Sequence, residues 1–501
     1  MQRFASSRLP MTRILRRLAL ASLLPLAISA PSFSFAANVS TALPDKVQQT
    51  LKANKISPNS LSLVAIPLTG PGQTTLYNAD VSVNPASTMK LVTTYAALEM
   101  LGPTYQWRTE FYADGQLKDG VLNGNLYLKG GGDPKLNMEK LWLLMRDLRA
   151  NGVQKVTGDL VLDRSYFIQP NLPEFNDDGG DDNKPFLVRP DSLLINLKAM
   201  RFIARTDDGK VSVAVEPPMA NVRIENRVKP LKSSKCKTYP DVVYNSVKNP
   251  DGGVTVTATG ELAEGCSAQT YLSLLDHKDY AAGAVRAIWQ ELGGSILGGN
   301  RVDVVPKDAR LLARAYSPDL VEIIRDINKF SNNTMAQQLF LSLGAQFRND
   351  ADGDDGKAAQ RVVRQWLAKK GLTAPHLVME NGSGLSRDER VSAREMATLL
   401  QAAWGSRYAA EYISSLPLAA MDGTMRKRLH KTALVGEAHI KTGTLNNVRA
   451  VAGFSRDING NTWAVVAILN DPRPWGASSV LDQILVELYR QPKLANSTAT
   501  R

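Results

Sequence analysis

The first residues suited to chemistry are Ser87-Thr88-Met89-Lys90. A serine hydroxyl is a weak nucleophile near neutral pH and needs a neighbouring base. Residues three apart share one face of a helix, so Lys90 can reach Ser87. As a base, the lysine must be neutral, and burial or a nearby cation lowers the pKa of an amine. The spacing alone is weak evidence, because Ser234-Lys235-Cys236-Lys237 also fits it, without the proline before it or the apolar helix behind it.

The second candidate is Ser331-Asn332-Asn333, in a predicted turn between two helices. Ser331 can relay a proton, and the side chain of Asn333 can hold an amide. Alone the tripeptide carries no information, because Ser57-Pro58-Asn59 and Ser82-Val83-Asn84 have the same spacing. Its plain structural alternative is N-capping of the helix that follows.

The third candidate is Lys441-Thr442-Gly443-Thr444, in a segment with strand character. Lys441 can attract a carboxylate, and the hydroxyls of Thr442 and Thr444 can donate hydrogen bonds to it. Gly443 has no side chain, so a substrate can approach the backbone closely there. Taken alone, the segment also fits an ordinary turn on an edge strand.

Local patterns predict the elements that carry these motifs. Asn84-Pro85 predicts the start of a helix over 86–101, with Asn84 as its cap. Leu320, Ile323, Ile324 and Ile327 have helical spacing, and that helix ends just before Ser331. Further predicted elements are strands at 61–68, 74–77, 440–441, 448–454 and 463–469 and a final helix around 481–488. Packing on the sheet is favoured for that last helix over lying on a membrane, because its polar face is not basic.

The middle of the chain has a different texture. Short β-prone runs surround a predicted helix at 138–150, and residues 200–270 show strand and turn patterns with no long helix. Helical periodicity returns at 281–292. The pattern predicts a sheet domain with helices, built from both chain ends, and a β-rich insertion between them.

The three motifs occur in order on a helix, an inter-helix turn and a strand. Together they match S-x-x-K, S-D-N and K-T-G of the penicillin-recognising serine enzymes, with Asn332 in place of the central aspartate. The chain resembles the class C low-molecular-mass penicillin-binding proteins, the type-4 D-alanyl-D-alanine carboxypeptidase/endopeptidases. The resemblance also rests on the long gap between Lys90 and Ser331 and on three further runs: Gly132-Asp133-Pro134, residues 381–387, and Leu416-Pro417 followed by Asp422-Gly423-Thr424.

The resemblance implies the α/β (α+β) penicillin-recognising serine-transferase fold. That fold has an antiparallel sheet flanked by helices, here with two inserted β-rich domains. The expected division is a signal peptide at 1–36, a catalytic domain at 37–103 and 310–501, domain II at 104–198 and 271–309, and domain III at 199–270.

The resemblance also implies a role for each motif residue. Ser87 is the expected acylated nucleophile, Lys90 its base, and Ser331 the donor of a proton to the departing D-alanine. Asn333 is expected to orient the peptide amide. The remaining expected roles are carboxylate binding and electrostatic support by Lys441, Thr442 and Thr444, with Gly443 beside them, and an oxyanion hole from the backbone N–H groups of Ser87 and Thr444. Some members of the family hold the amine of a diaminopimelate side chain with a carboxylate, and Asp177 stands at the matching place. The other acids of its loop, or a merely solvated carboxylate, are the alternatives there.

The function implied is that of a periplasmic serine D-alanyl-D-alanine carboxypeptidase, also expected to cut cross-links as an endopeptidase. Peptidoglycan stem peptides are the expected substrates and β-lactam antibiotics the expected covalent inhibitors, while a homodimer is left open. One alternative is a β-lactamase or esterase on the same scaffold, which the large insertion disfavours. Another is a catalytically silent peptidoglycan-binding protein, which the complete motifs disfavour.

Composition limits the other classes of function. The 501 residues are 44% hydrophobic and 22% charged, as in globular proteins of two or three domains. The four histidines form no H-E-x-x-H pattern, and two cysteines are too few for a four-cysteine zinc site. We therefore expect no metal and no cofactor, although a metal site made of carboxylates is not excluded by these counts.

The first 36 residues predict export. Five arginines precede a short apolar stretch at 18–30, and Ser34-Phe35-Ala36 offers a cleavage site after Ala36. An uncleaved anchor is the alternative, but a span needs about 20 apolar residues, and no later stretch is long enough. Without those arginines the net charge falls from +12 to about +7. A moderately basic exported protein is more consistent with an anionic envelope polymer as its neighbour than with nucleic acid. The alternative is a solvated basic surface that binds no partner. In an oxidising compartment Cys236 and Cys266 could pair, or remain two thiols.

Overall fold

The structure, a computed structural model, describes residues 39–490 except 173, 176–182, 234 and 474–475. The predicted signal peptide at 1–36, Asp177 and Ser234 therefore lie outside the described residues. Within the described ranges, every helix is too short or too polar to cross a bilayer.

A six-stranded sheet brings the two ends of the chain together. Its spatial order is β1 (Val39–Ser40), β3 (Thr74–Tyr77), β2 (Leu61–Pro67), β21 (Thr462–Asn470), β20 (Val448–Arg456) and β19 (Ala438–Leu445). Neighbouring strands are antiparallel, except that β1 and β3 are parallel. The turn at Asn459-Gly460 joins β20 to β21, and Gly460 has the positive φ of +82° that favours glycine there.

Helices cover both faces of this sheet. The larger core lies on the face covered by α2 (Lys90–Leu101), α5 (Leu320–Phe330), α6 (Asn333–Phe347), α7 (Asp355–Lys369), α8 (Ala393–Trp404) and the short α9 (Ala409–Ser414). The other face carries α1 (Asp45–Ala53) and α10 (Ala477–Tyr489). Because both faces are covered, β21 buries seven consecutive residues and reads as an unbroken apolar run. The predicted fold class is confirmed.

Among the described residues, the middle of the chain forms four smaller sheets. A five-stranded sheet has the order β17 (Asn300–Val302), β9 (Leu160–Asp163), β7 (Leu126–Gly130), β4 (Arg108–Ala113) and β18 (Arg310–Tyr316), and a four-stranded one has β16 (Ser295–Ile296), β8 (Lys155–Val156), β6 (Val121–Asn123) and β5 (Gln116–Lys118). Helices α3 (Met138–Ala150) and α4 (His277–Glu291) pack in the same core. The two three-stranded sheets are β11 (Lys210–Glu216), β10 (Met200–Asp207), β15 (Ser267–Leu272) and β12 (Val222–Leu231), β14 (Val254–Ala263), β13 (Asp241–Lys248).

The pairing of β18 bears on the expected domain division. Residues 310–316, which we assigned to the catalytic domain, pair with β4 in the inserted part. We therefore propose the catalytic boundary after Tyr316 and keep the three-part division as a proposal. The disulfide between Cys236 and Cys266 is present, so the paired alternative is confirmed. It joins the loop between β12 and β13 to the turn before β15.

The start of α2 differs from the prediction. Residues 86–89 form a 3₁₀ turn, and the α-helix begins only at Lys90. The side-chain Oδ1 of Asn84 accepts the N–H of Ala86 at 2.8 Å, and Ala86 has φ +46°, which a regular helix does not allow. The predicted helix from Ala86 with Asn84 as its cap is therefore wrong in its first turn. Ser87 lies in a strained turn, directly after a left-handed alanine.

Candidate active site

Ser87 and Lys90 are in direct contact. The Lys90 Nζ donates a hydrogen bond to Ser87 Oγ at 2.9 Å. The Lys90 side chain is fully buried, and this burial lowers its pKa to about 7, while the nearby Glu389 carboxylate opposes the shift. A substantial fraction of Lys90 is therefore neutral at neutral pH, as a base must be before it accepts a proton.

In the turn between α5 and α6, one residue caps a helix and its two neighbours contact the lysines. Asn332 is the N-cap of α6, and its Oδ1 accepts the N–H of Met335 at 3.0 Å. Ser331 ends α5 with φ +56°, and Asn333 begins α6. The Asn333 Oδ1 accepts a hydrogen bond from Lys90 Nζ at 2.7 Å. The plain capping explanation thus applies to Asn332, and the two flanking residues face the reactive groups.

Lys441 brings the third motif to the same place. Its Nζ donates to Ser331 Oγ at 2.7 Å and to the carbonyl of Thr442 at 2.8 Å. The ammonium is completely buried on β19, and burial, followed by the positive charge of Lys90, holds the pKa of Lys441 well below its usual value. Since Ser331 and Asn333 are two residues apart, both lysines border one cluster.

Strand β19 lies directly against the serine turn. A Cβ added to Gly443 would lie 2.8 Å from the carbonyl oxygen of Pro85 and 3.2 Å from Ala86 Cβ. Thr442 Oγ1 donates to Thr424 Oγ1 at 2.8 Å, which brings in the Asp422-Gly423-Thr424 run. The side chain of Thr444 is exposed. A glycine is needed at 443 because the two backbone segments leave no room for a side chain.

Sequence reasoning missed the part played by the turn at 381–389, which it used only as a sign of family. The Ser383 carbonyl accepts a third hydrogen bond from Lys90 Nζ. Gly382 and Gly384 have φ +70° and +81°. A Cβ on Gly384 would lie 2.0 Å from the carbonyl oxygen of Ala86. The closely spaced glycines on either side of Ser383 are the signal that could have revealed this close approach.

A cavity of about 480 Å³ lies beside this turn. Ser87 is not among its lining residues, so the cavity adjoins the cluster without containing it. Its walls come from residues within 164–172, 174–175 and 187–191, from α6 and from the turn, and include Arg189, Gln337, Asn381, Leu385 and Arg387.

Comparison with known proteins identifies the family. The sequence profile of the D-Ala-D-Ala carboxypeptidase 3 (S13) family matches residues 43–488. The chain belongs to this family. The predicted resemblance and the predicted enzyme class, a D-Ala-D-Ala carboxypeptidase, are confirmed.

Two curated relatives and a solved structure align with most of this chain. A D-alanyl-D-alanine carboxypeptidase of Actinomadura sp. is 31% identical over 395 residues, covering 74% of this chain and 70% of the relative. The D-alanyl-D-alanine carboxypeptidase DacB of Haemophilus influenzae is 27% identical, covering 79% and 82%. The crystal structure of penicillin-binding protein 4 from Haemophilus influenzae superposes with a TM-score of 0.72 at 23% identity, covering 90% of this chain and 100% of that one. A second structure of that protein is complexed with a β-lactam.

Proposed function

We propose that this S13 carboxypeptidase removes the terminal D-alanine from peptidoglycan stem peptides through an acyl-enzyme on Ser87. The observation that carries the proposal is the pair of buried lysines. Lys90 Nζ lies within hydrogen-bonding distance of Ser87 Oγ and Asn333 Oδ1, and Lys441 Nζ lies within that distance of Ser331 Oγ.

In the acylation step, neutral Lys90 takes the proton from Ser87 as its Oγ attacks the carbonyl of the penultimate D-alanine. The negative charge that develops on the carbonyl oxygen is met by the backbone N–H groups of Ser87 and Thr444. The close approach of β19 to the serine turn at Gly443 supports this pairing of donors from two segments.

In the second half of acylation, the C–N bond breaks and the terminal D-alanine leaves. Its nitrogen receives a proton from Ser331, which takes one from Lys441. The proton that Lys90 took from Ser87 is then released and Lys441 regains one, so both lysines return to their starting protonation states. The terminal carboxylate is bound by Lys441 with the hydroxyls of Thr442 and Thr444, and Asn333 orients the amide. Water then hydrolyses the ester on Ser87 and restores the free serine.

We extend the proposal to β-lactams: their strained amide would open on attack by Ser87, and the resulting ester on Ser87 would persist and inhibit the enzyme. The complex of the Haemophilus influenzae protein with a β-lactam supports this part of the proposal. The cavity beside the turn offers space for the rest of a stem peptide, and we extend the proposal to endopeptidase cleavage of cross-links. Peptidoglycan as the substrate also implies that the exported protein works in the periplasm.

Mass spectrometry of purified muropeptides tests the function. Incubation of wild-type protein with pentapeptide monomers is expected to remove the mass of one alanine, and incubation with cross-linked dimers to yield monomers. The Ser87→Ala variant, folded by circular dichroism, is expected to do neither. Equal cleavage by wild type and the folded variant contradicts a Ser87 acyl-enzyme.

A further inference from the structure

Glu389 lies outside the three motifs, yet it is completely buried beside them. Its Oε1 accepts the backbone N–H groups of Asn381 at 3.1 Å and Gly382 at 2.8 Å. We propose that Glu389 is a positioning residue for Lys90, because its carboxylate holds the 381–383 turn where the Ser383 carbonyl receives the Lys90 ammonium. This inference rests on the proposed role of Lys90 as the base.

Further hydrogen bonds tie the turn to α2. Thr93 Oγ1, one helical turn after Lys90, donates to the Gly382 carbonyl at 2.6 Å. Within the turn, the Ser383 N–H and hydroxyl both donate to Asn381 Oδ1 at 2.9 and 2.7 Å. Removing the Glu389 carboxylate would leave two buried N–H groups unpaired, so the turn would shift and carry the Ser383 carbonyl away from Lys90.

The second carboxylate oxygen gives Glu389 an electrostatic part as well. Glu389 Oε2 is buried and has no hydrogen-bond partner among the described residues. A buried carboxylate oxygen without a hydrogen bond is costly, unless a charge of opposite sign lies near. Burial raises the pKa of Glu389 to about 7, and the positive charge of Lys90 opposes that rise.

Two other groups complete the charged surroundings of this pair. Lys441 approaches Lys90 from β19, and the charge of Glu380, the residue just before the turn, acts on Glu389. The contacts to Lys90 from the serine turn and from α6, Ser87 and Asn333, are uncharged. Glu389 is thus the carboxylate that favours the charged form of Lys90, and removing its charge lowers the pH at which Lys90 becomes neutral.

The test is the pH dependence of acylation by a fluorescent penicillin in the full-length protein. Glu389→Gln keeps an acceptor oxygen for the two N–H groups and removes the charge. In a plot of acylation rate against pH, the rate rises as Lys90 becomes neutral, and we call this part the rising limb. For Glu389→Gln we expect the rising limb to lie at lower pH than in wild type by half a unit or more. Glu389→Ala also removes the acceptor, and we expect its acylation rate to fall at least tenfold across the pH range.

Glu395 provides a matched control. Its side chain is only 7% exposed, and it also accepts backbone N–H groups. These are the N–H groups of His376 at 2.8 Å and Ser392 at 2.7 Å, the latter in the capping box of α8. Glu395→Gln should leave the limb where wild type has it. A limb that is unmoved in folded Glu389→Gln, or equally shifted in Glu395→Gln, overturns the proposal.

Two further measurements keep the result decisive. If Glu389→Gln does not fold, Glu389→Asp serves instead, because it retains the charge on a shorter side chain. A slower acylation rate with an unmoved rising limb supports the positioning role, whereas acylation at the wild-type rate overturns it. If the fluorescent penicillin does not acylate Ser87 in the wild-type protein, the proposed function itself is overturned. An acylated wild type whose profile Glu389 variants do not change overturns only this inference.

Discussion

Replacing Gly384 with alanine would test how closely the 381–389 turn is packed against Ser87, the proposed nucleophile. The added Cβ would lie 2.0 Å from the Ala86 carbonyl oxygen and 2.7 Å from the Ser87 nitrogen. Ordinary contact needs about 3.5 Å, so one of the two backbone segments must move by at least about 1 Å. Neither neighbour is a flexible side chain that could turn away.

The cost has two parts. The left-handed backbone at Gly384, with φ +81°, costs an alanine about 1–2 kcal/mol, and overpacking adds about 1–3 kcal/mol. A displacement of about 1 Å at a reacting group can reduce a rate about 100-fold. We therefore expect Gly384→Ala to acylate about 100 times more slowly than wild type and to be destabilised by about 2–5 kcal/mol.

Gly460→Ala separates backbone strain from the clash. Gly460 has nearly the same φ, +82°, with no atom within 4 Å of the added Cβ. This variant should lose only about 1–2 kcal/mol and acylate at the wild-type rate. The assay is the time course of fluorescent penicillin labelling, with urea unfolding of each variant. A folded Gly384→Ala protein that is acylated within threefold of wild type would refute the reasoning.

Three further predictions concern other parts of the molecule. The acylation rate of wild type should rise through about pH 7, since the pKa of buried Lys90 is lowered to about 7 and only its neutral form accepts the Ser87 proton; a flat rate between about pH 5 and pH 9 would contradict this. Ser331→Ala removes one of the two acceptors of Lys441 and should reduce turnover of a D-Ala-D-Ala peptide by about 100-fold or more, measured as released D-alanine, and an unchanged turnover would exclude Ser331 as the proton donor. Replacing both Cys236 and Cys266 with serine opens a loop with a sequence separation of 30 and should cost about 3–4 kcal/mol in urea unfolding with acylation kinetics unchanged; a loss of acylation in the folded variant would show that the disulfide also shapes the active site.

The placement of the motifs was predictable because local patterns record it. The apolar spacing from Leu320 to Ile327 predicts a helix that ends before Ser331, and the structure ends α5 at Phe330. The alternating and apolar runs near Lys441 predict strands, and β19 and β20 lie there. Each of these signals depends on which residues of one short segment are buried.

The conformation of the serine turn was not predictable in this way. Nothing about an alanine favours φ +46°, and Ala86 adopts it because Asn84 accepts its N–H while β19 packs against it. The position of Glu389 under the 381–383 turn likewise depends on a fold of several residues that no periodicity describes. Such contacts are set by the meeting of distant segments.

Strand partners in the insertion were also beyond local patterns. The β-prone character of 310–316 says nothing about its partner, which is β4 at 108–113, about 200 residues earlier. For this reason our expected boundary at residue 310 placed β18 in the catalytic domain, whereas its partner β4 lies in the insertion. Pairing over such separations is decided by tertiary packing.

The central claim is that Ser87, activated by Lys90, is the residue that opens the substrate amide. Its most direct test is peptide mapping by mass spectrometry after exposure of the native protein to benzylpenicillin. The account predicts one stable adduct of the penicillin mass on the peptide containing Ser87, absent in folded Lys90→Ala. An adduct on another serine, or an unmodified Ser87 in protein that still releases D-alanine, would contradict it.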